Sequence, residues 1–166
     1  AMVFQDISAA AGITATHRSD KAATGVAVAD FDHNGYPDIF VTGYFDDSYL
    51  YLNQGNRQFT ASPFNQQINP PSAQCGSVAA ADFNNDGWSD LYVACWGRNY
   101  LYRNDKGQGF TDVTFAAGVN MNGRSESVSW GDLNADGHLD LVVGTYPPAT
   151  VPDATDPDQY LSLIHI

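Results

Sequence analysis

Three short acidic stretches of this chain carry side chains that suit a hard metal ion. Positions 1, 3, 5 and 9 of each stretch hold a carboxylate or an amide, and position 6 is glycine. Ca²⁺ takes about six to eight oxygen ligands, which alternate side chains of a tight loop can supply. The predicted ligands, with position 7 acting through its backbone carbonyl, are Asp30, Asp32, Asn34, Tyr36 and Asp38; Asp82, Asn84, Asp86, Trp88 and Asp90; and Asp132, Asn134, Asp136, His138 and Asp140.

The charge of the loops supports three Ca²⁺ sites, one in each loop. Nine of the 19 acidic residues lie in them, three in each, and like charges that close repel one another. Oxygen ligands alone favour Ca²⁺ over zinc or copper, and Mg²⁺ prefers to keep its waters. We expect a structural role for the metal. The alternative is three acidic turns without metal, because Asp, Asn and Gly favour turns in any case.

Residues after the loops exclude an EF-hand, which also begins with alternating acidic residues and a glycine. An EF-hand needs a bidentate Glu at position 12 and flanking helices. Position 12 is Val41, Val93 and Val143, each inside an apolar run typical of a strand.

The loops belong to a longer repeat, because they begin at residues 30, 82 and 132, a period of about 50 residues. A strand of small residues precedes each loop and an apolar strand follows it. The strand Tyr49–Asn53 corresponds to Tyr100–Asn104, and a turn and a fourth short strand come next. Four short strands in such a period are typical of a β-propeller blade. The second strand is apolar on both faces, which indicates that sheets cover it on both sides.

The predicted fold class is all-β, a β-propeller fragment of four-stranded antiparallel blades. About two complete blades and parts of two neighbours occupy residues 1–160. The last strand of one blade covers 4–13, blades cover 25–64 and 76–119, and an incomplete blade covers 126–160. Within the last, the Pro-rich stretch 147–158 reads as an inserted loop, and Tyr160 as the start of the next strand.

The last six residues, 161–166, are expected to be a non-native tail outside the fold. They are what a widely used sequencing transposase adapter encodes in one reading frame, and such scars are excluded from fold reasoning. The alternative is a genuine apolar strand.

Composition narrows the classes of partner. A net charge of −12 makes nucleic acid an unsuitable partner, because phosphate binding needs a basic surface. No apolar run of about 18 residues is present to span a membrane, and no signal peptide is visible. Cys75 and Cys95 flank the second loop. They are either a disulfide, as in an oxidising compartment, or two buried thiols.

Catalytic motifs are missing from the sequence. It contains no nucleophile elbow, phosphate loop, dinucleotide fingerprint or Cys-x-x-Cys pair. The histidines, His17, His33, His138 and His165, have no metal-ligand spacing. Aromatic residues recur at one offset after each loop, as Tyr44, Trp96 and Tyr146, where they either line a ligand surface or pack in the core.

The motif Asp-Phe-Asn-Asn-Asp-Gly-Trp-Ser-Asp-Leu at residues 82–91 resembles FG-GAP/VCBS repeats, the calcium-loop blades of integrin α-subunit propellers and of many bacterial secreted proteins. The phrase Leu-Tyr-Arg-Asn followed by Gly-Phe-Thr-Asp-Val-Thr and Ala-Gly-Val resembles the ASPIC/UnbV group, which includes cartilage acidic protein relatives. The resemblance covers about residues 3 to 160. It implies a propeller, usually of about seven blades, in secreted or surface proteins that serve adhesion or binding.

The resulting functional hypothesis is a calcium-stabilised, non-enzymatic propeller segment of an extracellular, cell-surface or periplasmic protein. It would bind a protein or glycan ligand, with the remaining blades of the parent chain as its other partners. One alternative is a non-catalytic propeller part of a larger secreted hydrolase or lyase, and another is a structural spacer. Because a propeller closes its ring to avoid exposed edges, these residues alone are expected to fold poorly.

Overall fold

The computed structural model describes residues 3–14, 23–44, 46–70, 74–146 and 161–164. These residues form β-strands, turns and loops, with no helix among them. The strands are β1 Ala23–Ala29, β2 Asp38–Gly43, β3 Tyr49–Asn53, β4 Phe59–Ala61, β5 Gln74–Ala81, β6 Asp90–Arg98, β7 Tyr100–Asn104, β8 Phe110–Asp112, β9 Asn122–Gly131, β10 Asp140–Tyr146 and β11 Leu161–Ile164.

The first repeat folds into one four-stranded antiparallel sheet in the order β1-β2-β3-β4. Its registers pair Ala29 with Asp38 across the acidic loop and Ile39 with Tyr51 across the next connection. The second repeat has the same internal order, because β5 pairs with β6, β6 with β7 and β7 with β8. The predicted all-β fold of four-stranded antiparallel blades is therefore confirmed.

The second repeat is also joined to the third by hydrogen-bonded strands. Beyond the part that pairs with β7, the end of β6 pairs with the start of β9, where Trp96 lies opposite Arg124. A single bridge between Tyr44 and Gln74 connects the first repeat to the second in the same way. In addition to the predicted four-stranded blades, the long second strand extends past its own hairpin, and its backbone groups pair there with the next repeat.

Packing between repeats buries both faces of β6. Leu91 and Val93 share a buried cluster with Phe40 and Leu50 of the first repeat. The intervening Tyr92 packs on the other side, in a cluster that includes side chains of the third repeat. Because side chains of a strand alternate between its faces, β6 lies between two neighbouring sheets, as predicted. Each such buried side chain stabilises the fold by about 1.5–3 kcal/mol.

The first repeat has an uncovered face on the side away from the second. In β1, Ala27 is buried in the cluster between the repeats, whereas Val26 and Val28 are 61% and 60% exposed. A strand with apolar residues on both of its faces is typical of a sheet that is covered on both sides. This face is therefore suited to a further sheet.

The N-terminal segment differs from the prediction that residues 4–13 form the last strand of a blade. Residues 3–7 and 13–14 have no regular structure, and Ser8–Gly12 form a turn. The described residues do not include this strand, because β4 and β8 form by pairing with β3 and β7, and no such partner lies beside Phe4 in the described part of the chain. The turn docks on the first repeat, where Phe59 donates its N–H to the Ala11 carbonyl at 2.8 Å.

The C-terminal segment also differs from expectation, because Leu161–Ile164 form β11. This strand pairs antiparallel with β10, from Leu141 opposite Ile164 to Gly144 opposite Leu161. Four residues of the expected tail therefore take the place of a third strand, because the free edge of β10 offers its backbone groups to an apolar segment. The predicted insertion 147–158, the strand start at Tyr160, and His17 and His165 lie outside the described residues.

Candidate metal centre

Each acidic loop connects the first two strands of its repeat. The ninth position is the first residue of the second strand, where Asp38, Asp90 and Asp140 pair with Ala29, Ala81 and Gly131. The first position directly follows the first strand in every repeat. Antiparallel pairing therefore brings the two ends of the loop together, so that carboxylates eight residues apart in sequence lie at the same end of one hairpin.

The carboxylate at position 1 is the centre around which each loop folds. Both oxygens of Asp30 accept backbone hydrogen bonds, from the N–H of Asn34 at 3.1 Å and of Gly35 at 2.9 Å. Asp82 accepts the equivalent bonds at 2.9 and 2.7 Å, and Asp132 at 3.1 and 2.9 Å. The loops are therefore closed by one hydrogen-bond pattern that recurs three times.

Positions 3 and 5 continue this pattern. The side-chain oxygen at position 3 accepts from the N–H of position 5, at distances of 2.9 to 3.1 Å in the three loops. The side-chain oxygen at position 5 accepts from the N–H of position 7, which is Tyr36, Trp88 or His138, at 2.9 to 3.0 Å. These bonds orient the peptide at position 7, whose carbonyl remains a predicted ligand.

The carboxylate at position 9 is buried in all three loops and also holds the third strand in the first two. Asp90 accepts from the N–H of Phe83 at 3.2 Å and of Asn104 at 2.7 Å. Asp38 accepts the equivalent bonds from Phe31 and Asn53 at 2.8 and 2.7 Å. Burial raises the pKa of Asp38, and it raises the pKa of Asp90 to about 7, although the backbone hydrogen bonds oppose the shift.

The first loop brings its carboxylates close enough to share one ion. One carboxylate oxygen from each of Asp30, Asp32 and Asp38 lies within 4.8 Å of the other two. Among the described residues, three acidic side chains come this close at the first loop. In the other two loops the carboxylate at position 5 accepts instead from the amide at position 3, Asn84 or Asn134. Carboxylate oxygens that accept one hydrogen bond keep a further lone pair for a cation. The donor set therefore fits Ca²⁺.

The backbone at position 4 is a feature of the loops that the sequence reading missed. His33, Asn85 and Ala135 all have positive φ, of 57°, 57° and 61°. The glycine at position 6 also has positive φ, which is 87° at Gly35. Because Asn and His are enriched in the left-handed region, their presence at position 4 was the available signal, but Ala135 obscured it.

Replacing Ala135 with Asn should raise the free energy of unfolding by about 0.5–1 kcal/mol. A left-handed conformation costs most L-residues about 1–2 kcal/mol, and Asn offsets part of that cost by local hydrogen bonding. Urea unfolding of the two proteins measures the difference. Ala116→Asn is the control, because this exposed position lacks positive φ and the substitution should not raise the free energy of unfolding. Equal or lower stability of Ala135→Asn would contradict the prediction.

The recurring aromatic residues pack at the strand ends opposite the loops. The rings of Tyr44 and Trp96 meet edge to face with centroids 5.8 Å apart. The guanidinium of Arg124 lies 3.8 Å over the Trp96 ring, and Arg124 pairs with Glu126. These contacts connect neighbouring repeats and favour the packing interpretation for Tyr44 and Trp96. The side chain of Tyr146 lies outside the part of the chain that the structure describes.

The two cysteines form a disulfide. Cys75 and Cys95 lie opposite each other on β5 and β6, with an S–S distance of 2.08 Å. Both residues are buried, and their bond closes a loop of the chain that contains the whole second acidic loop. The alternative of two buried free thiols is therefore set aside.

Successive four-stranded antiparallel units, each with an acidic loop between its first two strands, are the architecture of a β-propeller segment. The family model for an FG-GAP-like repeat matches residues 30–93 and 82–143, and the chain belongs to this family. It is 30% identical to cartilage acidic protein 1 of Mus musculus over 102 residues, which are 61% of this chain and 15% of that protein. It is 34% identical to integrin alpha-3 of Cricetulus griseus and of Mus musculus over 84 residues, covering 41% of this chain and 8% of theirs.

The chain thus spans a small part of the relatives that it matches. Those relatives are a cartilage acidic protein and integrin subunits. Among the described residues, no helix is long and apolar enough to cross a membrane.

Proposed function

We propose that this chain is a calcium-binding propeller segment of a secreted or cell-surface protein that serves binding or adhesion. The observation that carries the proposal is the threefold recurrence of one loop geometry, in which each oxygen-bearing side chain at positions 1, 3, 5 and 9 has the same backbone partner within its loop. Turn-forming tendency alone accounts for one such loop, but not for the same buried carboxylate at position 9 in all three.

Calcium would act by holding the hairpin at the end of each blade. The ion offsets the repulsion between three carboxylates and ties the start of the second strand to the loop before it. Because the unfolded chain has no preformed site, the binding free energy adds to the free energy of folding. Loops of low affinity, with Kd values of about 10⁻⁴–10⁻³ M, are suited to the calcium of extracellular fluid.

The disulfide supports an extracellular, cell-surface or periplasmic location. Disulfides form and persist in oxidising compartments and are rare in the cytosol of most organisms. The bond between Cys75 and Cys95 joins the two strands that the second calcium loop connects, and one extracellular location would supply both the oxidised cysteines and millimolar calcium.

The proposed partners are a protein or glycan ligand and further propeller blades. The net charge of −12 disfavours nucleic acid. Similarity to integrin alpha-3 supports an adhesive role for the parent protein. The exposed Val26 and Val28 offer a face on which another blade of the parent chain would pack.

Calcium titration tests the proposal directly. Isothermal titration calorimetry of the protein should report three sites, and saturating calcium should raise the melting temperature, because a ligand that binds only the folded state stabilises it. At about 100 times the Kd, each site adds about 2.7 kcal/mol. Chelator should reverse the effect.

A double substitution assigns one of the sites to its loop. Asp82→Ala with Asp90→Ala should reduce the stoichiometry from three to two, and Asp105→Asn, outside the loops, should leave three. A protein that releases no heat with calcium and melts equally with and without chelator would refute the calcium proposal.

A further inference from the structure

The first two acidic loops contact each other through the side chains of His33, which lies between predicted ligands, and of Trp88, whose backbone carbonyl is a predicted ligand. The His33 ring stacks on the Trp88 ring, with centroids 3.7 Å apart and planes 6° from parallel. His33 lies between positions 3 and 5 of the first loop, and Trp88 lies at position 7 of the second. Each ring is therefore attached to backbone that a bound ion would hold on both sides.

The turn after β7 holds the Trp88 ring from the second repeat. A β-carbon at Gly107 would lie 2.9 Å from a ring carbon of Trp88 and 3.8 Å from the α-carbon of Asp32. Gly107 has φ 74°, so the turn needs glycine for its conformation as well as for space. The Trp88 ring is thus confined by contacts from both repeats.

A second connection between the loops runs through Asn104, a buried residue at the end of β7. Its backbone N–H donates to Asp90 Oδ1 at 2.7 Å, and its side-chain amide donates to the Phe31 carbonyl at 2.9 Å. Phe31 in turn donates its N–H to Asp38 Oδ2 at 2.8 Å. Three hydrogen bonds therefore lead from the ninth-position carboxylate of one site to that of the other.

We propose that the first two calcium sites are energetically coupled, so that an ion in either one raises the affinity of the other. The inference rests on the proposed calcium function and adds the regulation of those sites. An ion at the first loop orders His33 and Phe31, which hold Trp88 and Asn104 in the positions that the second site needs. The second ion then has less ordering to perform, which is the physical source of positive cooperativity.

The coupling is measured in a protein whose third site is removed by Asp132→Ala with Asp140→Ala. Disabling the first site by Asp30→Ala with Asp32→Ala should weaken calcium binding at the second by about fivefold in calorimetry. Disabling the second by Asp82→Ala with Asp86→Ala should weaken the first by the same factor, because coupling between two sites is reciprocal. Damage confined to one loop would not give equal factors.

The substitution His33→Asn identifies the contact that carries the coupling. Asn suits the left-handed backbone at position 4, as Asn85 does in the second loop, so the variant removes the ring and keeps the loop. It should reduce the fivefold factor to about twofold, the remainder passing through Asn104. The matched control is Asn85→Ala, at position 4 of the second loop, whose amide contacts Gly137 of the third loop and which should keep the full factor.

The outcomes separate this inference from the proposed function. If each of the first two sites binds calcium with the same affinity whether or not the other site is disabled, the coupling is overturned and the calcium function stands. A coupling factor that His33→Asn does not change would overturn the assignment to the ring contact. A protein without calcium binding at any loop would overturn both proposals.

Discussion

Without calcium, the protein should lose on the order of 4 kcal/mol of stability between pH 4 and pH 7 because of one carboxyl group, that of Asp90. Burial raises its pKa from the ordinary 3.8 to about 7. Between these values the folded protein keeps a proton on Asp90 that the unfolded chain has released. The free energy of unfolding therefore falls as the pH rises through this window and levels off above pH 7.

Calcium should remove this loss, because the ion and the proton compete for the same carboxylate. Below pH 7 the calcium affinity of the second loop should fall by about tenfold for each pH unit. Urea unfolding at several pH values, with chelator and with saturating calcium, measures both effects.

The variant Asp90→Asn isolates this group from the other carboxylates. It should reduce the pH dependence of the calcium-free protein, with a constant offset for the hydrogen bond that its amide cannot accept. Asp86→Asn, which changes an exposed carboxylate of the same loop, is the matched control and should keep most of the dependence. An Asp90→Asn protein with the same pH profile as the wild type would show that Asp90 does not carry the effect.

Removing the disulfide by Cys75→Ala with Cys95→Ala should lower the free energy of unfolding by about 3 kcal/mol. The two cysteines are 20 residues apart, and a cross-link of that length removes conformational entropy from the unfolded chain. For a domain of this size the melting temperature should fall by about 6–12 °C. Differential scanning calorimetry under one calcium concentration measures it.

Reducing agent provides the internal control for this prediction. It should destabilise the wild-type protein by about the same amount as the double substitution and leave the substituted protein unchanged. A wild-type protein that melts at the same temperature in both conditions, with its thiols shown to be reduced, would contradict a stabilising role for the bond.

The sequence predicted the parts of the site that are local. Asp82 and Asp90 could be placed in one loop because their types and spacing recur at Asp30 and Asp132, and because apolar strands flank each loop. The continuous apolar run of the second strand likewise predicted that β6 is buried on both faces, which Leu91 and Tyr92 confirm. Patterns within a few residues of one another are what periodicity can detect.

The parts that escaped prediction depend on contacts between strands that are distant in the sequence. Asn53 and Asn104 recur at the end of the third strand, but their donation to the buried Asp38 and Asp90 follows from how the second and third strands pair. The pairing of Trp96 with Arg124 depends on how one sheet twists towards the next. The strand expected at 4–13 is not among the described strands for a related reason, since a strand needs a neighbour that its own sequence does not supply.

The pairing of β6 with β9 also bears on how such repeats are copied during evolution. If a duplicated segment ended after β8, it would contain β6 without β9. The last residues of β6 would then lack the strand of the following repeat with which they pair. A segment cut within the acidic loops instead would preserve this junction but divide two metal sites. A duplicated repeat is therefore constrained at both ends of its strands, by the acidic loop at one end and by the pairing with the next repeat at the other. Gain or loss of a repeat must restore a junction like that of Trp96 with Arg124 as well as the loop.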